Sequence, residues 1–410
     1  MTAPTDSQVD LLGYPLQREC PYRPSAGTAR FREPGPVTRV RLYDGRSTWL
    51  VTGPAEGRAL LADQRNSSRA DFPDYPVIDE RHLHMRATRE MAQEEEGGFA
   101  GALFGVDPPE HTRQRQLLTP SFTVRRVAVH RPEIQRIVDS LLDDMARQGP
   151  PADLMTAFAT PVPMKVVCVF LGVPYGERNA FEGPARALFD PDHADEAMAE
   201  LTGYLDRLIT TKTASPGNGL VDDLIGAHLR TGHTTREELT QFALAILVAG
   251  TVTSTSMIAL GVLALLGEPG QYAALAADPG LVPGAIEELL RYVSPVEQLA
   301  RVATADIEVA GQVIKAGDGM LISFAGANLD PGVTSHPHEL DVTRPPSHHL
   351  AFSFGIHHCL GRNLARLELE IALQGLVTRF PTLRCTLPVE EVPAYNDGTV
   401  QRLLAFPVTW

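Results

Sequence analysis

Between Phe242 and Leu266 the chain reads "FALAILVAGTVTSTSMIALGVLALL", with no charged residue in it. A run this apolar belongs either in a bilayer or at the centre of a protein core. The hydroxyls of Thr251, Thr253, Ser254, Thr255 and Ser256 fall in its middle, where lipid penalises polar groups that lack partners. The sequence therefore points to a buried helix of a water-soluble protein. A helix buried all round needs other helices to cover it. They are present: "PEIQRIVDSLLDDMARQ", "EAMAELTGYLDRLITTK", "REELTQFALAILVAG" and "PGAIEELLRYV" all repeat apolar residues at spacings of three and four.

Strand signals are confined to the two ends. "VTRVRLYDGRSTWLVTG" places two β-prone runs around Asp44-Gly45, a hairpin signal, and "PAEGRALLAD" then turns helical. Short β-like runs return in "ADIEVAGQVIKAGDGMLIS" and in the C-terminal "TVQRLLAFPVTW". The expected fold class is mainly α with small β-sheets, an α+β chain with a helix-rich subdomain and a small β-rich one. No repeat, low-complexity tract or long linker divides it, so residues 1–410 read as one domain, with 1–36 as an irregular arm rich in proline and glycine.

Composition narrows the partners. With 36 basic and 50 acidic residues the net charge is −14, and no long basic run appears, which argues against nucleic acid or an anionic membrane surface and for a small molecule. Cys20, Cys168, Cys359 and Cys385 show neither CxxC nor framework spacing, and "MTAPTDSQVD" has no signal-peptide character. A reduced, cytoplasmic protein is the expectation.

The chemistry concentrates in "FSFGIHHCLG", Phe352 to Gly361. The following "LGRNLARLELEIALQGL" places Leu360, Leu364, Leu367 and Ile371 on one helical face, so Cys359 sits at a helix N-terminus. There, unpaired N–H groups and the helix dipole favour an anionic sulfur. Gly355 and Gly361 remove side chains on either side, so that a flat, bulky group can lie against the backbone. Zinc would want three or four ligands, and no partner pair is evident. A buried structural cysteine and a histidine module using His348, His349, His357 and His358 are the plainer alternatives.

Phe352, Gly355, His357, Cys359 and Gly361 match FxxGxHxCxG, and on these residues the chain resembles the cytochrome P450 superfamily, in its soluble bacterial, actinobacterial form. The resemblance implies that Cys359 is the axial thiolate of haem b (iron protoporphyrin IX), that His357 partners a haem propionate, and that His358 is a surface residue. Further segments resemble the same family. Glu288-Leu-Leu-Arg291 is similar to its ExxR motif, a buried pair bracing the cysteine loop, although any (i, i+3) pair can be a surface ion pair. In "DPPEHTRQRQLL", a helix begun by Asp107, Pro108 and Pro109, His111 and Arg115 share a face that can clamp a carboxylate. Arg301 in "LARVATAD" falls where another propionate arginine is expected. "GANLDP" and "HHLAFSFG" complete the resemblance, with Leu329 in place of a common arginine.

The resemblance also makes the long apolar run the oxygen-activating helix, and here the chain departs from the family. Gly250 costs about 1 kcal/mol relative to alanine, and the β-branched and hydroxyl residues after it are poor helix formers that can bond back to the preceding turn and open the ladder. The family pattern is Ala/Gly-Gly-x-acid-Thr-Thr/Ser, and this chain has Ala249, Gly250, Thr251, Val252, Thr253 and Ser254. The acid is missing, so Thr253, supported by Ser254 and by ordered water or a substrate hydroxyl, is expected to carry the proton relay.

Alignment to the family places the substrate pocket at Arg81 to Phe99, Ala245, Val248, Ala249, Val252, Val296 to Leu299, Thr399 and Val400. Most of these are small or apolar, which suits a mainly apolar organic substrate, with Gln298 as the orienting hydrogen bond and Gln93 to Gly98 as a solvated lid loop. The chain shows no flavin or nicotinamide fingerprint. The resemblance implies electrons from a ferredoxin and its reductase, with NADPH as donor, and Arg362 and Arg366 can meet an acidic ferredoxin. The activity implied is a monooxygenase using O2 on a specialised metabolite. Aryl or phenol coupling of a small peptide or diketopiperazine and a non-catalytic haem sensor are the alternatives.

Overall fold

The computed structural model describes residues 11–16, 18–78, 102–177, 183–184, 187, 193–395 and 400–410. The expected lid at Gln93 to Gly98, the pocket wall at Arg81 to Phe99, and Thr399 lie outside them. The longer helices are α1 (Pro54–Ala62), α2 (Glu110–Leu118), α3 (Arg131–Gln148), α4 (Pro161–Leu171), α5 (Ala194–Ala214), α6 (Arg236–Gly267), α7 (Val282–Val293) and α8 (Arg362–Arg379). The strands are β1 (Val37–Arg41), β2 (Ser47–Val51), β3 (Asn66–Ser67), β4 (Ala152–Asp153), β5 (Gln298–Ala303), β6 (Ile307–Val309), β7 (Gln312–Ile314), β8 (Gly319–Ser323), β9 (Arg384–Cys385), β10 (Ala394–Tyr395), β11 (Arg402–Leu403) and β12 (Pro407–Thr409). The chain is mainly helical with small sheets, as its sequence pattern requires.

The apolar run forms the centre of α6. A threonine N-cap starts the helix: the Thr235 hydroxyl accepts from the Glu238 amide at 3.1 Å, with Glu237 and Glu238 in the first turn. From there α6 packs against α4, α5, α7 and α8. It is long and apolar enough to cross a membrane, yet two thirds of its most apolar window is buried within the fold. Leu247, Leu260 and Leu263 are fully buried there, each contributing about 1.5–3 kcal/mol through burial. Three of the hydroxyls in its middle are satisfied locally, whereas that of Thr255 is buried without a hydrogen-bond partner. Thr251 donates to the Leu247 carbonyl (2.8 Å), Thr253 to that of Ala249 (2.7 Å) and Ser256 to that of Val252 (3.0 Å). The helix nevertheless runs unbroken, so this back-bonding does not open the ladder. Gly250 is where α4 comes close, since a Cβ there would sit 3.0 Å from Val167 Cγ2.

The Asp44-Gly45 hairpin forms, and its two strands head a five-stranded mixed sheet of order β1-β2-β8-β5-β3. β2 and β8 run parallel, with Leu50 opposite Leu321, while β5 pairs antiparallel to β8, with Leu299 opposite Ile322. β6 and β7 form a separate hairpin, and β12 lies between β4 and β9. The N-terminal arm is pinned by its aromatics: Tyr14 and Phe31 are buried and meet edge to face, and Gly13 bridges to Arg41.

Leu260→Ala, at a fully buried position in the C-terminal half of α6, is expected to cost about 2–5 kcal/mol, because the surrounding helices close such a cavity only in part. A urea unfolding curve checks it, and an unchanged midpoint would show that α6 is not the core of the helical layer.

Candidate functional site

The cysteine loop is held from both directions. The Cys359 amide donates to the Phe352 carbonyl at 2.9 Å, closing the loop across its own signature. Gly361 caps α8, and the amides of Gly361 and Arg362 point at the sulfur. Burial raises the Cys359 thiol, and those amides together with the Arg115 and Arg362 guanidiniums oppose the rise. Gly355 adopts φ +70°, and a Cβ on it would lie 2.2 Å from the Leu61 carbonyl oxygen. The glycine at 355 is therefore required by the end of α1 and not by a flat group against the loop. A Cβ on Gly361 would meet open space.

Four cationic or imidazole side chains converge beside the loop. His111 and Arg115 come from α2, Arg301 from β5 and His357 from the loop itself. The rings of His111 and His357 are 4.1 Å apart. Burial, then Arg301, His111 and Arg115, drive the His357 imidazole down to about 2, although it hydrogen-bonds the Leu103 backbone. Burial and Arg115 likewise lower His111, against a smaller opposite pull from Asp107. Burial also lowers Arg301, whose guanidinium donates to the Ala300 carbonyl at 2.7 Å. Both ring nitrogens of His111 are buried without a hydrogen-bond partner. Asp107, the nearby acid, is taken by the Ser67 and Ser68 hydroxyls and the Ser68 amide. A pocket this rich in donors and short of acceptors suits the carboxylates of a bound group, and the propionates of a haem fit that donor set.

Arg115 donates to the His358 carbonyl, which ties α2 to the loop. His358 is not a surface residue. It is half-buried, and burial, Arg362, Arg115 and Arg366 lower its imidazole to about 4.

Two ion-pair systems on α7 brace this arrangement. Arg291 is fully buried and grips Glu288 with two bonds of 2.7 and 2.8 Å. It also donates to the carbonyls of Asn328, Pro337 and Glu339. Arg344, which sequence spacing did not flag, adds a second guanidinium to Glu288 at 3.1 Å. One residue earlier, Glu287 accepts two bonds from Arg366 of α8, at 2.7 and 2.8 Å, and meets His349 at 3.2 Å. The Arg366 guanidinium lies 4.6 Å from the centre of the Phe352 ring. Arg366 is thus engaged in a strap from α8 to α7, with its side chain still 37% exposed. Arg362 donates to the Cys359 carbonyl at 3.0 Å. His349 is held by Glu287, and the described residues bring together no cluster of histidine, cysteine and acidic side chains able to hold a metal ion.

On α6, Val248, Ala249, Val252 and Thr253 are half-buried and share one face. Val296 and Val400 form a bridge, and Leu299 is partly buried beside them. Ala245, one turn earlier on the same face of α6, is fully buried. Gln298 is buried, and its Oε1 accepts from the Tyr14 hydroxyl at 2.6 Å, so it secures the N-terminal arm instead of facing a substrate. Ser254 is buried on the opposite side of α6, toward Glu368 of α8.

Residues 280–396 match the family model described as Cytochrome P450. Over the whole chain the sequence is similar to pentalenic acid synthase of Streptomyces avermitilis, at 47% identity over 100% of both chains. It is 45% identical to vitamin D3 dihydroxylase of Streptomyces griseolus, over 100% of this chain and 99% of that one. Among solved structures it is similar to cytochrome P450 MoxA of Nonomuraea recticatena, with a TM-score of 0.90, 39% identity and coverage of 97% and 98%.

Burial alone would raise the Glu287 carboxyl, but Arg366 and His349 hold it at about 2. A carboxyl held below its unfolded value of ~4.3 adds stability that is complete above that value and lost as pH falls toward 2. Glu287→Gln is therefore expected to melt below the parent protein at pH 7, with the gap closing between about pH 5 and pH 2. Thermal unfolding across that range checks it, and a gap of constant size would show that the strap contributes nothing through its charge.

Proposed function

The chain belongs to the cytochrome P450 family, a haem-thiolate oxidoreductase, and from that premise we propose that it inserts oxygen from O2 into a small, mainly apolar specialised metabolite. The observation that carries this reading is the donor-rich pocket of His111, Arg115, Arg301 and His357 beside a cysteine whose sulfur faces a helix N-terminus. Cys359 would hold the iron of haem b through its thiolate, and the four basic side chains would hold its propionates, with Phe352 and Gly361 shaping the loop. The bound group supplies redox chemistry at a thiolate-ligated iron. Every other task belongs to the protein: orienting the group, excluding water and moving protons.

The half-buried face of Val248, Ala249 and Val252, with Val296, Leu299 and Val400, offers small apolar contacts, which supports an apolar substrate. The two relatives named for pentalenic acid and vitamin D3 support the same substrate class, and one is named a dihydroxylase, which favours oxygen insertion over coupling. Electrons come from a ferredoxin, its reductase and NADPH. Arg115, Arg362 and Arg366 all act on His358, a positive field at the cysteine loop suited to an acidic partner. Such a protein works in the cytoplasm.

Reductive cleavage of dioxygen consumes protons, and Thr253 stands on the half-buried face of α6. Its hydroxyl donates to the Ala249 carbonyl, which leaves its lone pairs to accept and order a proton-carrying water. Thr253→Ala is expected to lower product formed per NADPH by up to about 100-fold, the lower end of general acid–base contributions, and to raise hydrogen peroxide. Unchanged coupling would remove Thr253 from the relay. The absorption spectrum of the reduced protein under carbon monoxide tests the foundation. A strongly red-shifted Soret band that Cys359→Ser abolishes is expected, and its absence from the parent protein would overturn the haem-thiolate reading.

A further inference from the structure

Strand β5 has a different neighbour on each face, and the alternation of a strand sorts its side chains between them. Leu299 packs toward the apolar cluster of Val51, Ile322 and Leu350, and Arg301, two residues on, enters the donor-rich pocket beside His357. Gln298 and Ala300 point the other way, to the cluster built around Tyr14, Phe31 and Leu321. The N-terminal arm therefore backs the strand whose front borders the site.

The ladder that fixes β5 stops at Gln298, which pairs with Ser323. Before it, Val296 is held by its bridge to Val400, and the Pro295 carbonyl by the Gln401 amide at 2.9 Å. At this point the arm supplies two side chains. Tyr14 donates to Gln298 Oε1 at 2.6 Å, and Arg18 forms an ion pair with Glu297. The pair is shielded from water, with side chains 1% and 11% exposed, and Arg18 also donates to the Pro21 carbonyl at 3.3 Å. The Glu297 carbonyl accepts from the amides of Phe324 (2.7 Å) and Ala325 (3.2 Å), so this residue is gripped at side chain and backbone alike. The root of the arm is fixed in turn. The Tyr14 amide donates to the Arg41 carbonyl and the Arg41 amide to that of Leu12, both at 2.9 Å. Taking an arginine and a glutamate out of water offsets most of what their attraction gains, so the main product of the pair is a fixed geometry. Val296 and Leu299 flank the two anchored residues.

We propose that Tyr14 and Arg18 are specificity-determining positioning residues: by anchoring Gln298 and Glu297 from behind β5, they set how Val296 and Leu299 stand in the substrate pocket, and so which apolar molecules it accepts. This rests on reading Val296 and Leu299 as pocket wall. Neither arm residue touches the substrate. A wall held in advance costs an incoming molecule nothing to order, whereas a loosened wall takes that cost from binding.

The test uses the haem-loaded protein, with each variant first shown to give the carbon monoxide spectrum of the parent. Two probes that ligate haem iron and shift its Soret band are titrated, imidazole and 4-phenylimidazole. Imidazole reads access to the iron, and the ratio of the two dissociation constants reads the wall. Tyr14→Phe removes one oxygen and is expected to lower the preference for 4-phenylimidazole by about 3- to 10-fold, the range one net hydrogen bond spans, with imidazole unchanged. Arg18→Met/Glu297→Leu leaves no orphaned charge, and should lower the preference likewise while melting near the parent protein. Tyr14→Phe/Gln298→Leu should fall no further than Tyr14→Phe, because the two residues act through one bond. Leu142→Ala, a cavity at a buried position of α3, should melt lower and keep the parent ratio. If one arm variant takes up no haem, the other decides.

Parent-like ratios in the arm variants would overturn the proposal, and so would an equal fall in Leu142→Ala, which would trace the effect to general loosening. Leu299→Ala separates the proposal from the reading beneath it. Its ratio should change. If it does not, Val296 and Leu299 are not the wall and the proposal falls with that reading; if it changes while the arm variants stay parent-like, the role of Tyr14 and Arg18 alone is refuted.

Discussion

The structure around the cysteine depends on a buried carboxylate shared by two arginines. Glu288 accepts from Arg291 and Arg344, and the two guanidiniums between them reach the backbone carbonyls of Asn328, Ser335, His336, Pro337 and Glu339. Removing such groups from water costs several kcal/mol per ion, so the cluster is not a cheap source of stability. It supplies geometry instead. A planar guanidinium with five donors can hold several carbonyls of an irregular stretch of chain at once. A lysine, with a single rotatable ammonium, could not do this. That stretch leads into the cysteine loop, so the position of Cys359 is set from the neighbouring helix and not by the loop alone.

Glu287 extends the same logic on the next position of α7. Adjacent residues of a helix point about a quarter-turn apart, so α7 sends one carboxylate inward to the irregular chain and the other to Arg366 on α8. Through Arg366 it reaches the ring of Phe352, the first residue of the loop. Both ends of the loop are therefore referred to one rigid helix. On the other side the protein gathers His111, His357, Arg115 and Arg301 with no free acid among them, and the imidazoles stay neutral because burial and their mutual repulsion forbid the charge. This is a preorganised environment that only an anion relieves, and it favours one orientation of whatever carries that anion.

The parts of this design that are local in sequence are the parts the sequence reveals. The cysteine loop, the Glu288 and Arg291 spacing and the His111 and Arg115 face each occupy one turn or one short loop, so residue type and spacing suffice. The long apolar run reads correctly for the same reason. What stays hidden is pairing across distance. Arg344 reaches Glu288 from 56 residues away, and Arg366 reaches Glu287 from 79. Gln298 illustrates the opposite failure. Its neighbours in sequence suggest a pocket wall, but Tyr14 arrives from 284 positions upstream and takes its oxygen. Gly355 also looks like room for a ligand until the Leu61 carbonyl is placed against it.

The centre of α6 shows why a hydroxyl-rich segment can exist in an apolar core at all. Hydroxyls bonded to the preceding turn leave no unmet donors, so the helix is polar in composition and nearly apolar in behaviour. Thr251, Thr253 and Ser256 follow that rule. Thr255, whose hydroxyl is buried without a hydrogen-bond partner, and Ser254 depart from it, and the partner of Ser254 is the fully buried acid Glu368, with one oxygen left unmatched. A fold selected for stability alone would have no reason to keep this pair, because replacing both partners with apolar groups of similar shape is close to neutral, whereas a half-satisfied buried acid is costly.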